Sequence, residues 1–354
     1  MLLPEDDFPL HQTVAPIAQT MGGHPNAYDR FFFNGVSEDF YFAVALGLYP
    51  NRGVIDAAFS LLQNGRQHSV FTSDALRGRV THVGPITIEI VEPLRVNKIT
   101  VDAPEQGLRA ELTYTQATAT IEEPRQTMHD GPRIFMDVTR ATQLGTWTGW
   151  IESPEGRIDL DGTTSGTKDR SWGIRPVGEP LPGAPGTRAP QLCFFWTPGM
   201  TSNGGRHVMS FQDERGRRLH HSAGTLPLVG SGEATHEEGE LAFTWREGTR
   251  WMETGSMTID DETYTFTPID RFHMRGVGYG HPIYGHGKWH GGPVTAGEVL
   301  TTADQDPLEY PNIHVQHIVR LGGAGSGIGV VEQLVIGLYA PAGLVGLLDG
   351  VPAS

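Results

Sequence analysis

The chain has 354 residues, a formal net charge of −15, 46 glycines, 25 prolines and a single cysteine. Its acidic balance, with no Lys/Arg-rich cluster, excludes a nucleic-acid partner, because a phosphate backbone is bound through excess basic side chains. The length predicts two domains, and a 38% hydrophobic content with so many turn formers predicts short strands joined by turns.

From the start, "MLLPEDDFPLHQ" turns acidic at Glu5 and lacks the basic start and apolar run of a secretion signal. The longest apolar tracts, "FYFAVALGLYP" and "VVEQLVIGLYAPAGLVGLLDG", are broken by polar residues, Gly or Pro, short of the ~20 residues of a membrane helix. Cys193 alone gives neither a disulfide framework nor a CxxC metal knuckle. A soluble, cytoplasmic chain without a membrane span is expected, with a homodimer as an option.

Period-2 alternation then sets in. "RGVIDAAFSLLQNGRQHSVFTS" predicts a hairpin turning at Gln63-Asn64-Gly65-Arg66, Asn-Gly being the strongest short hairpin signal. "TSDALRG" could hold one helical turn. "HVGPITIEIVEPL" puts Ile86, Ile88 and Ile90 on one face, and two more strands flank the turn Ala103–Gly107. "PVGEPLPGAPGTRAP", Pro176 to Pro190, cannot continue a sheet and marks the domain junction. Beyond it, strands resume from "QLCFFWTPGM" to "ETYTFTPIDRFHM", and a last pair flanks the loop "GGAGSG". So many antiparallel strands close into barrels or stack as sandwiches, because open edges invite aggregation.

Chemistry-bearing candidates are few. No GxSxG elbow, GxxxxGK[ST] loop or GxGxxG register occurs. "GVGYGHPIYGHGKWHGG" gathers His281, His286 and His290 with Tyr279, Tyr284 and Trp289. His286 and His290 have the HxxxH spacing of a zinc pair only on a helix, which seven glycines disfavour, so no metal is expected. The loop reads either as a plug of a barrel mouth or as a ligand-contacting loop. His314 and His317, three apart on a strand, point to opposite faces, which argues against a joint site. Asp159 and Asp161 share a face but read as solvated.

"SEDFYFAVALGLYP" together with "GTKDRSWGIRP" resembles the AttH and hydroxyneurosporene-synthase (carotenoid 1,2-hydratase)-like superfamily. Its Asp-[His/Arg]-x-Trp-Gly motif stands here as Asp169, Arg170, Ser171, Trp172, Gly173. Its Glu-aromatic-aromatic-Tyr strand is looser, with Asp39 between Glu38 and Phe40. The chain is most similar to bacterial members with a "GYGHPxxGHGxW" loop, and Arg170 stands where the carotenoid enzymes usually show His. The resemblance implies an all-β protein of two lipocalin-like (calycin-type) antiparallel barrels packed side by side, with very little helix. It covers nearly the whole chain and implies a greasy substrate in a cleft and chemistry without a redox cofactor.

The expectation is a division into barrels 1–182 and 183–354 and a cofactor-independent lyase or isomerase: a hydratase, dehydratase or cyclase for a hydrophobic, terpenoid-like molecule. The alternative is a non-catalytic lipid or terpenoid carrier. Asp169, His281, Tyr284 and His286 are the catalytic candidates; Glu38, Tyr41, Arg170, Trp172, His207, Tyr279 and Trp289 the substrate-binding ones. "DRSW" itself admits two readings. As a corner, Asp169 accepts turn hydrogen bonds and Trp172 plugs the barrel interface. As a site, Asp169 faces an apolar cleft, where burial raises its pKa and makes it a proton donor.

Overall fold

A computed structural model describes residues 2–9, 22–176 and 191–353. Beyond Pro176, the proline-rich junction and the expected boundary at residue 182 lie outside the described residues. Helix among the described residues is confined to short 3₁₀ turns, and none is long and apolar enough to cross a membrane.

Two antiparallel sheets make up the molecule. The first runs from β1 (Ala27–Val36), β2 (Phe40–Tyr49), β3 (Val54–Gln63) and β4 (Arg66–Ala75) through β5 (His82–Val83), β6 (Ile86–Glu92), β7 (Val96–Ala103) and β8 (Leu108–Gln116). The short β9 (Ile121–Glu122) and β10 (Gln126–Asp130) follow, then the long hairpin β11 (Arg133–Ser153) and β12 (Gly156–Ile174). The second comprises β13 (Leu192–Trp196), β14 (Gly199–Thr201), β15 (Gly204–Gln212), β16 (Arg218–Leu226), β17 (Thr235–His236), β18 (Gly239–Trp245), β19 (Met252–Ile259) and β20 (Glu262–His273). A late strand, β21 (Val294–Thr301), leaves this half and pairs antiparallel with β4 at the edge of the first sheet. β22 (Val315–Gly323) and β23 (Gly327–Ile336) complete the second sheet.

The local reasons are those of the sequence. Asn64 and Gly65 both take positive φ (53° and 70°), the requirement of a type I′ hairpin between β3 and β4. Gly107, at φ 76°, closes the turn between β7 and β8. In β6, Ile86 and Ile88 are fully buried and Thr87 and Glu89 exposed. "TSDALRG" forms no helical turn: β4 continues through Ala75, its extended residues paired with β3.

The strands β1 and β2 are buried on both faces, and each face serves a different core. One face carries Phe33 and Phe42 into a cluster with Tyr114 and Trp147, which fills the first barrel with aromatic rings at 5.1–5.9 Å. The other carries Phe32 and Tyr41 against Trp196, Met209, Phe272 and Ile318 of the second half. The first barrel is therefore a packed core, and the apolar joint between the halves is continuous with it. This is the all-β, paired lipocalin-like architecture.

Candidate functional site

A cavity of ≈ 1100 Å³ opens where the two sheets meet. Phe32 of β1, Phe194 and Trp196 of β13, Phe211 of β15 and Leu334 of β23 form its apolar wall, and the loop from Gly278 to Lys288 covers one side.

Strand β12 shows how the polar groups arrive there. Its register sets Asp169 between Phe32 and Thr142, and Ser171 between Arg30 and Arg140, on the face turned to the cavity. Arg170 sits between Phe31 and Ala141, on the reverse face. There it donates to Asp29 Oδ1 (2.9 Å) and the Arg30 carbonyl, lies 3.8 Å over the Phe31 ring and 6.0 Å from that of Trp172. Asp169 and Arg170 therefore do not pair, and the corner and the cleft occupy opposite sides of one strand.

Asp169 is half-buried, and its Oδ1 has no hydrogen-bond partner. Burial, then the negative charges of Glu123 and Glu332, push its carboxyl up to about 7 against the pull of Arg140 and Arg175. Glu123 behaves oppositely: burial would raise it, but His207, Arg140 and His220 hold it at about 2. Thr142 donates to Glu123 Oε1, and His207 Nε2 lies 3.1 Å from the same oxygen. His207 itself is fully buried behind the cavity wall.

A second polar group enters from β23. His314 Nε2 lies 2.7 Å from Glu332 Oε1, and Gln316 donates to Glu332 Oε2 (2.6 Å). The Tyr41 hydroxyl donates to Gln316 Oε1, so Tyr41 reaches the cavity only through this relay.

The late loop distributes its histidines to different tasks. His286 accepts from Arg30 Nη1 at Nδ1 (2.9 Å) and donates from Nε2 to the Val277 carbonyl (2.8 Å), which uses both ring nitrogens. Burial and the Arg30 charge keep it neutral, well below the usual imidazole range. His281 lines the cavity, while its Nδ1 accepts the backbone N–H groups of Ile283 and Tyr284. Tyr279 lines it too, packed edge-on against His286 and His314.

The remaining candidates lie elsewhere. Tyr284 stacks on Phe71 at 5.1 Å, off the cavity wall. Trp289 is exposed, and Glu38 forms a two-pronged surface pair with Arg320. Asp159 and Asp161 are solvated, bonded to Arg157 and Thr163. His290 packs at a tilt against Tyr284, 5.7 Å between ring centroids, and among the described residues no three His, Cys, Asp or Glu side chains group as metal ligands. His314 and His317 do face apart: His317 Nε2 is 3.2 Å from Gln333 Oε1 in the second core. Sequence reasoning missed Glu332, Arg140 and Arg175, and set His314 aside. Only the even spacing of Asp169, Ser171 and Arg175 could have signalled any of them.

Two solved structures share this architecture. A Nitrosomonas europaea protein named as a candidate AttH matches with a TM-score of 0.54 and 12% identity, over 87% of this chain and 92% of its own. Kievitone hydratase from Nectria haematococca matches at 0.50 and 11%, over 92% of this chain and 94% of its own. At such identities the likeness is one of fold. No curated protein sequence matches significantly. Residues 2–345 fit the model of a family of unknown function, DUF8625, and the chain belongs to that family.

Proposed function

We propose that the chain is a lyase or isomerase of the hydratase, dehydratase or cyclase kind, acting by acid–base chemistry on a hydrophobic molecule held between the barrels. The observation that carries this reading is Asp169: a carboxyl group on an apolar cavity wall, shielded from Arg170 by strand alternation and protonated over much of the range near pH 7. In the hydration direction Asp169 gives its proton to one carbon of an alkene. Water then attacks the adjacent cationic carbon and loses a proton to the Glu332–His314 pair, which passes it on to solvent or back to the acid. Dehydration runs the same steps in reverse, with Asp169 protonating the leaving hydroxyl. The rings of Phe194, Trp196 and Phe211 offer cation–π stabilisation of about 0.5–2 kcal/mol each to the carbocation. The hydratase among the structural neighbours supports this reading through its fold alone.

The test begins with mass spectrometry of small molecules that copurify with the protein. The captured ligand is then incubated with enzyme in D₂O and H₂¹⁸O. Solvent deuterium or oxygen should enter it with native protein, and Asp169→Asn should slow that entry about 10²–10⁴-fold. Full incorporation by an Asp169→Asn protein that melts like the parent overturns the assignment. Binding without any incorporation makes the protein a carrier.

A further inference from the structure

One arginine on the cavity wall has no ion-pair partner among the described residues. Among the charged residues there, Arg140 donates to Gln126 and lies 3.7 Å from Glu123, Arg133 pairs with Asp130 at 2.5 Å, and Lys288 donates to the Pro282 carbonyl. Arg175 lies within ion-pair reach of no carboxylate among the described residues. Its guanidinium packs over the rings of Tyr28 (4.5 Å) and Tyr279 (5.6 Å). Those contacts hold the plane and leave the edge unused: Nε and Nη2 are both buried without a hydrogen-bond acceptor. Charged donors left unmade in a protein interior are costly, so a persistent pair of them marks a place where something else accepts.

These two nitrogens form one edge of the guanidinium, with parallel N–H bonds spaced to meet both oxygens of a carboxylate. The molecule uses this edge elsewhere. Arg125 clasps Asp137 through Nε and Nη2 at 2.6 Å each, and Arg320 clasps Glu38 through the same pair at 2.5 and 2.8 Å. Only at Arg175, of these three, is the carboxylate missing, and only Arg175 lines the cavity. Arg30, whose Cζ lies 4.6 Å from the centroid of the Tyr279 ring, adds a second positive charge at that ring.

We propose that the cavity's substrate is a hydrophobic carboxylic acid, with its carboxylate paired to the Arg175 guanidinium and its apolar body along Phe194, Trp196 and Phe211. The proposal rests on the cavity being the substrate site. Asp169 and Arg175, both on the cavity wall, then divide the work: Arg175 anchors the acid group and Asp169 meets the reacting carbon. Neutralising the guanidinium also removes one of the two cations that draw the Asp169 carboxyl down.

The test uses matched pairs of decanoic, 2-naphthoic and abietic acid and their methyl esters, titrated calorimetrically into the native protein at pH 8. At least one acid should bind tenfold or more tightly than its ester. Arg175→Gln should close that gap to under twofold, and Arg175→Lys, which keeps the charge without the fork, should fall between them. If no acid outbinds its ester in the native protein, the proposal is wrong; that measurement needs no variant to fold. A gap that persists in an Arg175→Gln protein melting like the parent overturns it as well. Asp169→Asn should keep the acid preference. Loss of the preference in the native protein therefore counts against the anchor, while unaltered isotope incorporation in Asp169→Asn counts against the acid–base reading.

Discussion

The two sides of β12 and the residue that follows it carry charged groups and treat them differently. On the barrel side, Lys168 lies 2.6 Å from Asp7 and 2.8 Å from Asn97, and Arg170 is bound by Asp29 and the Phe8 and Arg30 carbonyls. The N-terminal turn Pro4–Asp7 thus closes the first barrel through ion pairs. On the cavity side, Asp169 and Arg175 have buried polar atoms without partners. Buried charge set against an opposite charge at close range serves the fold, because its desolvation is offset on the spot. Unmatched buried charge at a cavity is offset elsewhere in the structure and serves a ligand or a reaction.

Breaking the matched side should cost the most. Arg170→Met leaves Asp29 buried without its cation and should lower unfolding free energy by about 3–5 kcal/mol, read by urea denaturation. Asp169→Asn, one residue away, should leave stability at pH 7 unchanged or higher, and equal losses in the two variants would erase the distinction between the faces. Next in size is His286→Ala, which strands the Arg30 guanidinium and the Val277 carbonyl and should cost about 1–3 kcal/mol.

The pH dependence sharpens the contrast. Asp169 ionises near 7 in the folded chain against 3.8 ordinarily, so the native state holds a proton that the unfolded chain has released. Stability contributed by that proton should fall as pH rises from about 4 to about 7, and Asp169→Asn should flatten the slope. Glu123, depressed from 4.5 to about 2, does the reverse: its contribution is complete above about 4.5 and is lost as pH falls toward 2. Glu123→Gln should remove that acid limb in the same denaturation series. Smallest of all, Glu38→Gln at the exposed Arg320 pair should change neither melting temperature nor ligand binding.

The Asn64-Gly65 hairpin and the loop between β22 and β23 were legible from their turn residues, and β6 to β8 from an alternation with one solvated face. Asp169 was legible as a candidate, but not the face it takes. In β1 and β2 every or nearly every residue is buried, so no polar alternation tells the barrel side from the cavity side. That ambiguity placed Tyr41, Arg170 and Trp172 beside Asp169 on paper, and register separates them in space. Glu332 went unnoticed and His314 was set aside because their pairing joins a loop end to the neighbouring strand, and neither segment carries a motif. Arg175 sits beside prolines that drew attention to a linker.

The pairing of β21 with β4 links the order of synthesis to the order of folding. Strand β4, buried from Gln67 to Thr72, gains its last neighbour only after residue 301 has been made. At ~5–20 residues per second, the ribosome leaves that edge open for roughly ten seconds to a minute. An open strand edge is a template for pairing with another chain, so crowded expression should favour intermolecular capture of β4 in the nascent protein. A slower growth temperature or a supplied peptide spanning residues 294–301 would then act on yield without touching the finished fold.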